Sequence, residues 1–378
     1  MTASTLPGPV EWPGDLLPPP FAEGAHPGLL DVLPPLLHRP QPGRDLVLLL
    51  DGVGADLLRE HRSLTPTLRR LEGEVRRIRT VAPSTTASAM VSLHTGLSPL
   101  EHGVIGYLTR DPATGTVVNQ LTGDPRVRSE EWMPLPTPVE AGTRYAVQVA
   151  PAKHQRSHLT GVAYRGWDFL AHGRGDRVEA VRIALHRAGS DGLVHLHHDA
   201  VDHAGHHHGI DSEAWRDALA EADALLGALL RRLPRGTRIH VTADHGMVDT
   251  SPQRTIDLAE HPAVHRLIAE VAGEPRAATL FAVPGAEADL AGALRKLLGE
   301  RALVLEREEV LRIGLLGPAG RAPDPRVAGR LGDVQLLARG RWSIEDSSRR
   351  PAGAPTLIGV HGSLTAAESW VPLLTVTV

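Results

Sequence analysis

Residues 46–50 read Leu-Val-Leu-Leu-Leu and stop abruptly at Asp51-Gly52. A continuous apolar run this short marks a strand covered on both faces, as in a parallel sheet between helices. Similar runs stand at 146–149, 193–196, 239–242, 279–283 and 334–337. Between them, apolar residues recur at helical spacing. The clearest case is 214–233, where Leu219, Ala222, Leu226, Leu229 and Leu230 share one face, and 290–298 repeats the pattern. Strands alternating with helices predict an α/β layered fold. A chain of 378 residues with 42% hydrophobic and 22% charged residues can bury such a core without staples. Aromatics are only 3%, so Leu, Val, Ile and Ala must build it.

The flanks of this pattern read differently. Residues 1–43 are proline-rich (Pro7, Pro9, Pro13, Pro18 to Pro20, Pro34 and Pro35) and cannot supply a central strand. We expect an extension over residues 1–43 that wraps the surface or stays loose, then a catalytic domain over 44–378. Within it, 251–330 forms a less typical subregion, and the Gly-, Pro- and Arg-rich stretch 314–332 is expected to be an exposed loop. No basic segment followed by an apolar one opens the chain, and no apolar run is long enough to span a membrane, which predicts cytoplasmic residence without membrane contact.

Composition removes several kinds of chemistry. With no cysteine there are no disulfides, thiolate-held metals or cysteine nucleophiles. A net charge of −4 gives no broad positive field for coating nucleic acid. The 21 histidines are the informative excess.

In open α/β sheets, ligands collect at the carboxyl ends of the strands. The apolar runs end in Asp51, in the segment holding Asp202 and His206, and in Asp244-His245. Carboxylate and imidazole donors without sulfur suit zinc, with manganese or iron as alternatives. Each piece has a plainer reading. Asp51 alone is an ordinary helix N-cap, and the His206-His207-His208 tract reads equally as a solvated surface run. Asp202 and His206 share a face if their turn is helical; His203 and His207 would then point elsewhere, with His208 harder to dismiss. A fourth segment places Ser84, Thr85 and Thr86 after an apolar strand at 75–81. Those hydroxyls serve either as an N-cap or as a nucleophile at a helix N-terminus, which also favours phosphate. A fifth places His361 after another apolar run.

Taken in order, Asp51, Thr86, Asp202-x-x-x-His206, Asp244-His245 and His361 resemble the alkaline phosphatase superfamily, and within it the type I phosphodiesterase/nucleotide pyrophosphatase branch. The resemblance spans 44–107, 193–209, 238–247 and 334–374. It implies a three-layer α/β/α fold with a central, mostly parallel sheet and a hydrolase with two divalent metal ions, most simply zinc. Asp51, Asp244 and His245 would hold one ion, which also binds the Thr86 oxygen; Asp202, His206 and His361 would hold the second. Thr86 would attack phosphorus, and water would hydrolyse the resulting phosphothreonine. The partner would be a small phosphorylated molecule. Relatives that cleave nucleotides sandwich the base between two aromatics. Here those positions are Ala87 and His197, so the platform is mostly missing. Tyr107, Lys153 and His154 are further candidates for substrate contact. The same core also serves phosphomonoesterases and phosphonate hydrolases. A non-enzymatic His-rich metal-binding protein is the rival from another class; it explains His206 to His208 but not the three strand-end carboxylates.

Overall fold

The computed structural model describes residues 10–38, 42–142, 144–173, 175–350, 353 and 355–378. Its main sheet has seven strands in the order Arg76–Arg79, Trp370–Thr377, Arg238–Thr242, Asp45–Leu50, Leu193–His198, Ala146–Ala150, Asp168–Ala171. The Trp370–Thr377 strand runs antiparallel to both neighbours, and the pairings from Arg238–Thr242 through Asp168–Ala171 are parallel. This is the three-layer α/β/α arrangement. The Asp45–Leu50 strand shows why its run is unbroken. Leu46, Leu48 and Leu50 enter one apolar cluster with Leu219, Leu226 and Leu229 of the helix Glu213–Arg232. Val47 and Leu49 enter another with Met90, Val91 and Leu93 of the helix Thr86–Thr95. Side chains alternate across a strand, so a strand with two helical layers must be apolar at every position.

The runs near 280 and 335 do not join this sheet. They form the strands Ala277–Ala282 and Val334–Ala338 of a separate six-stranded antiparallel sheet, which also contains Ala302–Glu306, Ile268–Glu274, Leu108–Arg110 and Val117–Asn119. The physical reason is that an apolar run reports covered faces, not strand direction. Val334 and Leu336 meet the helix Glu287–Leu298 in one cluster, while Leu337 faces another. This second sheet carries Glu274 and Tyr107 to the rim of the first.

Two flanking expectations are corrected. In the proline-rich extension, Leu16, Phe21, Leu29, Leu30, Leu33 and Leu37 are buried, and most pack with the Thr86–Thr95 helix as part of the core. Proline blocks a strand but not the burial of the leucines between prolines. Pro7 and Pro9 lie outside the described residues. The stretch 314–332 is exposed over 318–322 but anchored on both sides, where Leu315, Leu316, Val327 and Leu331 are buried. Arg330 stacks 3.8 Å over the Trp132 ring and donates to the Gly103 and Trp132 carbonyls. Among the described residues no helix is long and apolar enough to cross a membrane.

Candidate metal centre and active site

The site lies where strands of the main sheet end. Asp51 follows Asp45–Leu50, and Asp244 and His245 follow the adjacent parallel strand Arg238–Thr242. Parallel neighbours end on the same edge, so the two acids arrive together. Gly52 makes the turn at φ 73°, and a Cβ there would stand 3.0 Å from that of Asp202. Only glycine fits both the left-handed backbone and the close approach. Asp202 and His206 then sit one turn apart on the helix Ala200–His208, with His206 Nε2 3.1 Å from Asp202 Oδ2.

His361 reaches the cluster through a short ribbon. Gly359–Val360 pairs antiparallel with Val248–Asp249, which follows the Asp244-His245 loop. The segment after His361 is also fastened to the Thr86 loop. Ser84 N–H donates to the Gly362 carbonyl, and Gly362 N–H donates to Ser84 Oγ. The rings of His361 and His245 stack with centroids 3.6 Å apart. Thr86 is the first residue of its ten-residue helix, with Thr85 at the N-cap.

The tautomers are set by backbone carbonyls. Nδ1 of His206 lies 2.7 Å from the Gly359 carbonyl, Nδ1 of His361 2.9 Å from that of Ser84, and Nδ1 of His245 3.0 Å from that of Gly246. A carbonyl only accepts, so each Nδ1 carries a proton and each ring turns its Nε2 elsewhere. Those Nε2 atoms face the carboxylates. His245 Nε2 is 3.5 Å from Asp51 Oδ1 and 3.4 Å from Asp244 Oδ2; His361 Nε2 is 3.8 Å from Asp202 Oδ1. His245 Nε2 also lies within hydrogen-bond distance, 3.1 Å, of the Thr86 hydroxyl oxygen.

Three carboxylate oxygens remain over. Asp51 Oδ1, Asp244 Oδ2 and Asp202 Oδ1 are buried without a hydrogen-bond partner among the described residues. Asp244 Oδ1, by contrast, accepts the Gly52 and His245 amides. Donor atoms of Asp51, Asp244 and His245 lie within 4.8 Å of one another, and so do those of Asp202, His245 and His361. His245 therefore stands between the groups, and His206 joins at the margin through Asp202. Orphaned acidic oxygens beside imidazole Nε2 atoms are a donor set that divalent cations fit. The electrostatics agree. Burial, then the nearby Asp244 and Asp202, raise the Asp51 carboxyl well above its ordinary range. Burial also pushes Asp202 upward, but the His206 charge and hydrogen bond outweigh it and hold Asp202 low.

The remaining sequence candidates divide. Tyr107 lines a cavity of about 300 Å³ together with Thr85, Thr86, Asp202, His206 and His361. Lys153 and His154 occupy a turn after the strand Ala146–Ala150 and are not among the residues lining that cavity. His203, His207 and His208 are exposed. Two contributors escaped the sequence reading. His197 places Nε2 2.7 Å from Asp51 Oδ2, orienting the acid from the neighbouring strand. Leu49 and His197 are register partners, a relation that strand spacing alone does not reveal. Glu274 lines the cavity from the second sheet, accepts the Tyr107 amide at 3.0 Å and is pushed up by burial to about 8. Its sequence context, a Glu before Pro275 at the end of an apolar strand, carries no distinguishing signal.

Comparison with known proteins follows the same lines. The chain resembles an uncharacterised pyrophosphatase/phosphodiesterase of Schizosaccharomyces pombe, with 27% identity over 229 residues. That alignment takes in 56% of this chain and 46% of the relative, so the match spans about half the relative's length. Among solved structures, an inactive form of murine ectonucleotide pyrophosphatase/phosphodiesterase 5 in complex with AMP superposes with a TM-score of 0.68, at 19% identity over 88% of this chain and 87% of that one. Phosphonoacetate hydrolase from Sinorhizobium meliloti, in complex with phosphonoacetate, gives 0.66 at 20% identity over 88% and 90%. These likenesses show the fold. The family model for type I phosphodiesterase/nucleotide pyrophosphatase matches residues 46–364. That span holds all seven candidate site residues from Asp51 to His361, and the chain belongs to the type I phosphodiesterase/nucleotide pyrophosphatase family.

Proposed function

We propose that this chain is a metal-dependent phosphoric ester hydrolase that cleaves small phosphodiesters or pyrophosphates with Thr86 as nucleophile. The observation that carries the reading is the set of three histidines held at Nδ1 by backbone carbonyls with their Nε2 atoms facing buried carboxylates, three of whose oxygens have no partner among the described residues, beside the Thr86 hydroxyl. Asp51, Asp244 and His245 would hold one ion, joined by the Thr86 oxygen; Asp202, His206 and His361 would hold the other. When bound, divalent cations supply positive charge that lowers the pKa of the threonine hydroxyl and offsets the charge of the phosphoryl group. Zinc suits the histidine share, and manganese or iron would also be accepted.

The chain's own residues then do the following. Thr86 Oγ1 attacks phosphorus and forms a covalent phosphothreonine while the ester P–O bond breaks and the alcohol leaves. Water hydrolyses that intermediate, returns the Thr86 hydroxyl and releases the phosphorylated product. The amides that open the Thr86–Thr95 helix are positioned for phosphoryl oxygens. The cavity wall of Leu121, Pro275, Leu357 and Val360 favours an apolar ester substituent, which a diester has and a free phosphate lacks. Ala87 is buried in the core and His197 is engaged with Asp51, so neither offers a stacking surface for a nucleobase.

The test is a substrate panel on protein loaded with zinc or manganese: bis-p-nitrophenyl phosphate, p-nitrophenyl phosphate and phosphonoacetate. We expect the diester to be turned over fastest and chelation to abolish turnover. Fastest turnover of the monoester or the phosphonate would move the chain to another activity of the superfamily. Metal binding without turnover of any of the three would leave the binding-protein reading.

A further inference from the structure

The single asparagine of the chain, Asn119, sits beside the cavity, and its hydrogen bonds have a direction. Its Oδ1 accepts the backbone N–H groups of Leu121 at 2.9 Å and Thr122 at 3.1 Å. Two amide donors cannot face an NH₂ group, so the side chain cannot be turned around. Its Nδ2 must then point the other way, where it donates to the Tyr107 hydroxyl oxygen at 2.7 Å. The two residues are held in place by their hairpin. Leu108 and Asn119 are register partners, Gln120 N–H donates to the Tyr107 carbonyl, and Tyr107 N–H donates to Glu274.

A phenol has one proton and two lone pairs. With Asn119 donating into a lone pair, the phenol proton is directed elsewhere, and the ring lines the cavity that holds Thr86. We propose that Asn119 is a positioning residue: it orients the Tyr107 hydroxyl so that its proton is presented to a phosphoryl oxygen of the substrate. This rests on the reading of the cavity as a phosphoester site and names a contact within it. An acceptor at that point in place of the Asn119 donor, such as the carboxylate of Asn119→Asp, would draw the proton away from the cavity.

That variant is the test. A carboxylate at 119 still accepts the Leu121 and Thr122 amides, so the turn is kept, but it can only accept from Tyr107 and so reverses that one bond. With bis-p-nitrophenyl phosphate and the loaded enzyme, Asn119→Asp and Tyr107→Phe should each lower kcat/KM by about tenfold, with melting temperatures near that of the wild type. In the Tyr107→Phe background, Asn119→Asp should have no further effect, because the proton it misdirects is gone. A merely structural role for Asn119 would persist in that background, and equal, independent losses would overturn the proposal. So would full activity of Tyr107→Phe, which does not depend on the Asn119 variant folding. Absence of turnover by the wild type would instead overturn the functional reading, and this inference with it.

Discussion

The two halves of the ligand cluster are built differently. Asp51, Asp244 and His245 come from loops behind adjacent parallel strands, and all three are buried. Their free oxygens have no hydrogen-bond partner among the described residues, and the proximity of Asp51 and Asp244 adds repulsion to the cost of burial. Asp202 and His206 come from one helix turn, His361 from a ribbon loop, and the Asp202 and His206 side chains keep 15% and 21% of their exposure. There the pairing with His206 outweighs burial, lowering Asp202 and raising His206, whereas the His197 ring beside Asp51 leaves that acid raised. The first half is a buried, charge-frustrated pocket that a cation would relieve. The second is a self-neutralised pair that a cation must compete for. The difference suggests that the buried half holds its ion more tightly, and four measurements would break or sharpen that contrast.

The largest effect is expected at the hydroxyl attached to the buried half. Thr86→Ala should lower kcat by at least ~10³-fold, Thr86→Ser should keep part of the activity, and Thr85→Ala should keep much of it. A reversed ranking of the two alanine variants would move the nucleophile to Thr85. Next come the ligands themselves. Asp244→Asn should weaken zinc retention by ~100-fold or more, and His206→Gln by roughly tenfold, read by competition with a chelator. Equal losses would erase the distinction between the halves.

The third concerns the cavity wall facing both halves. Glu274 has its carboxyl raised from 4.5 to about 8 by burial. An acid whose folded pKa is raised binds more protons folded than unfolded, so its contribution to stability is present below pH 4.5 and is lost as the pH rises towards 8. Metal-free wild type should therefore lose up to about 1.4 kcal/mol per pH unit across that window relative to Glu274→Gln. Denaturation curves at pH 5 and 8 would reveal the difference in slope, and parallel slopes would show that Glu274 is ionised in the fold. The smallest effect carries an opposite sign in two states. Asp51→Asn should stabilise the metal-free protein by roughly 1 kcal/mol, by relieving burial of the acid beside Asp244 and Asp202, yet lower the melting temperature of the zinc-loaded protein relative to loaded wild type. Destabilisation in both states would mean that the buried half is not frustrated without its ion.

Much of this was legible in the residues because it depends on local pattern. An unbroken apolar run announces a strand with two covered faces, and an Asp after it lands on the carboxyl edge whatever the neighbouring strand is. The period of 214–233 likewise announces its helix, observed as Glu213–Arg232. What stayed hidden depends on partners distant in the chain. The runs near 280 and 335 look like those of the main sheet, yet they pair antiparallel in a second one, because apolarity encodes burial and not direction. The composition of 1–43 predicts a segment that wraps the surface or stays loose, and that of 314–332 an exposed loop, but leucines spaced between prolines and glycines found the core.

By itself, then, the sequence determined the donor types, the absence of sulfur chemistry, the layered α/β class and the order of the motifs. Tertiary structure decided which atoms meet. His197 became the support of Asp51 and Asn119 the donor to Tyr107, and His245 came to stand between two groups of ligands. The physical reason is that local composition selects secondary structure through burial and backbone preference. A hydrogen bond's direction or a ligand's neighbours, by contrast, are set by strand register and loop closure between segments that the chain keeps far apart.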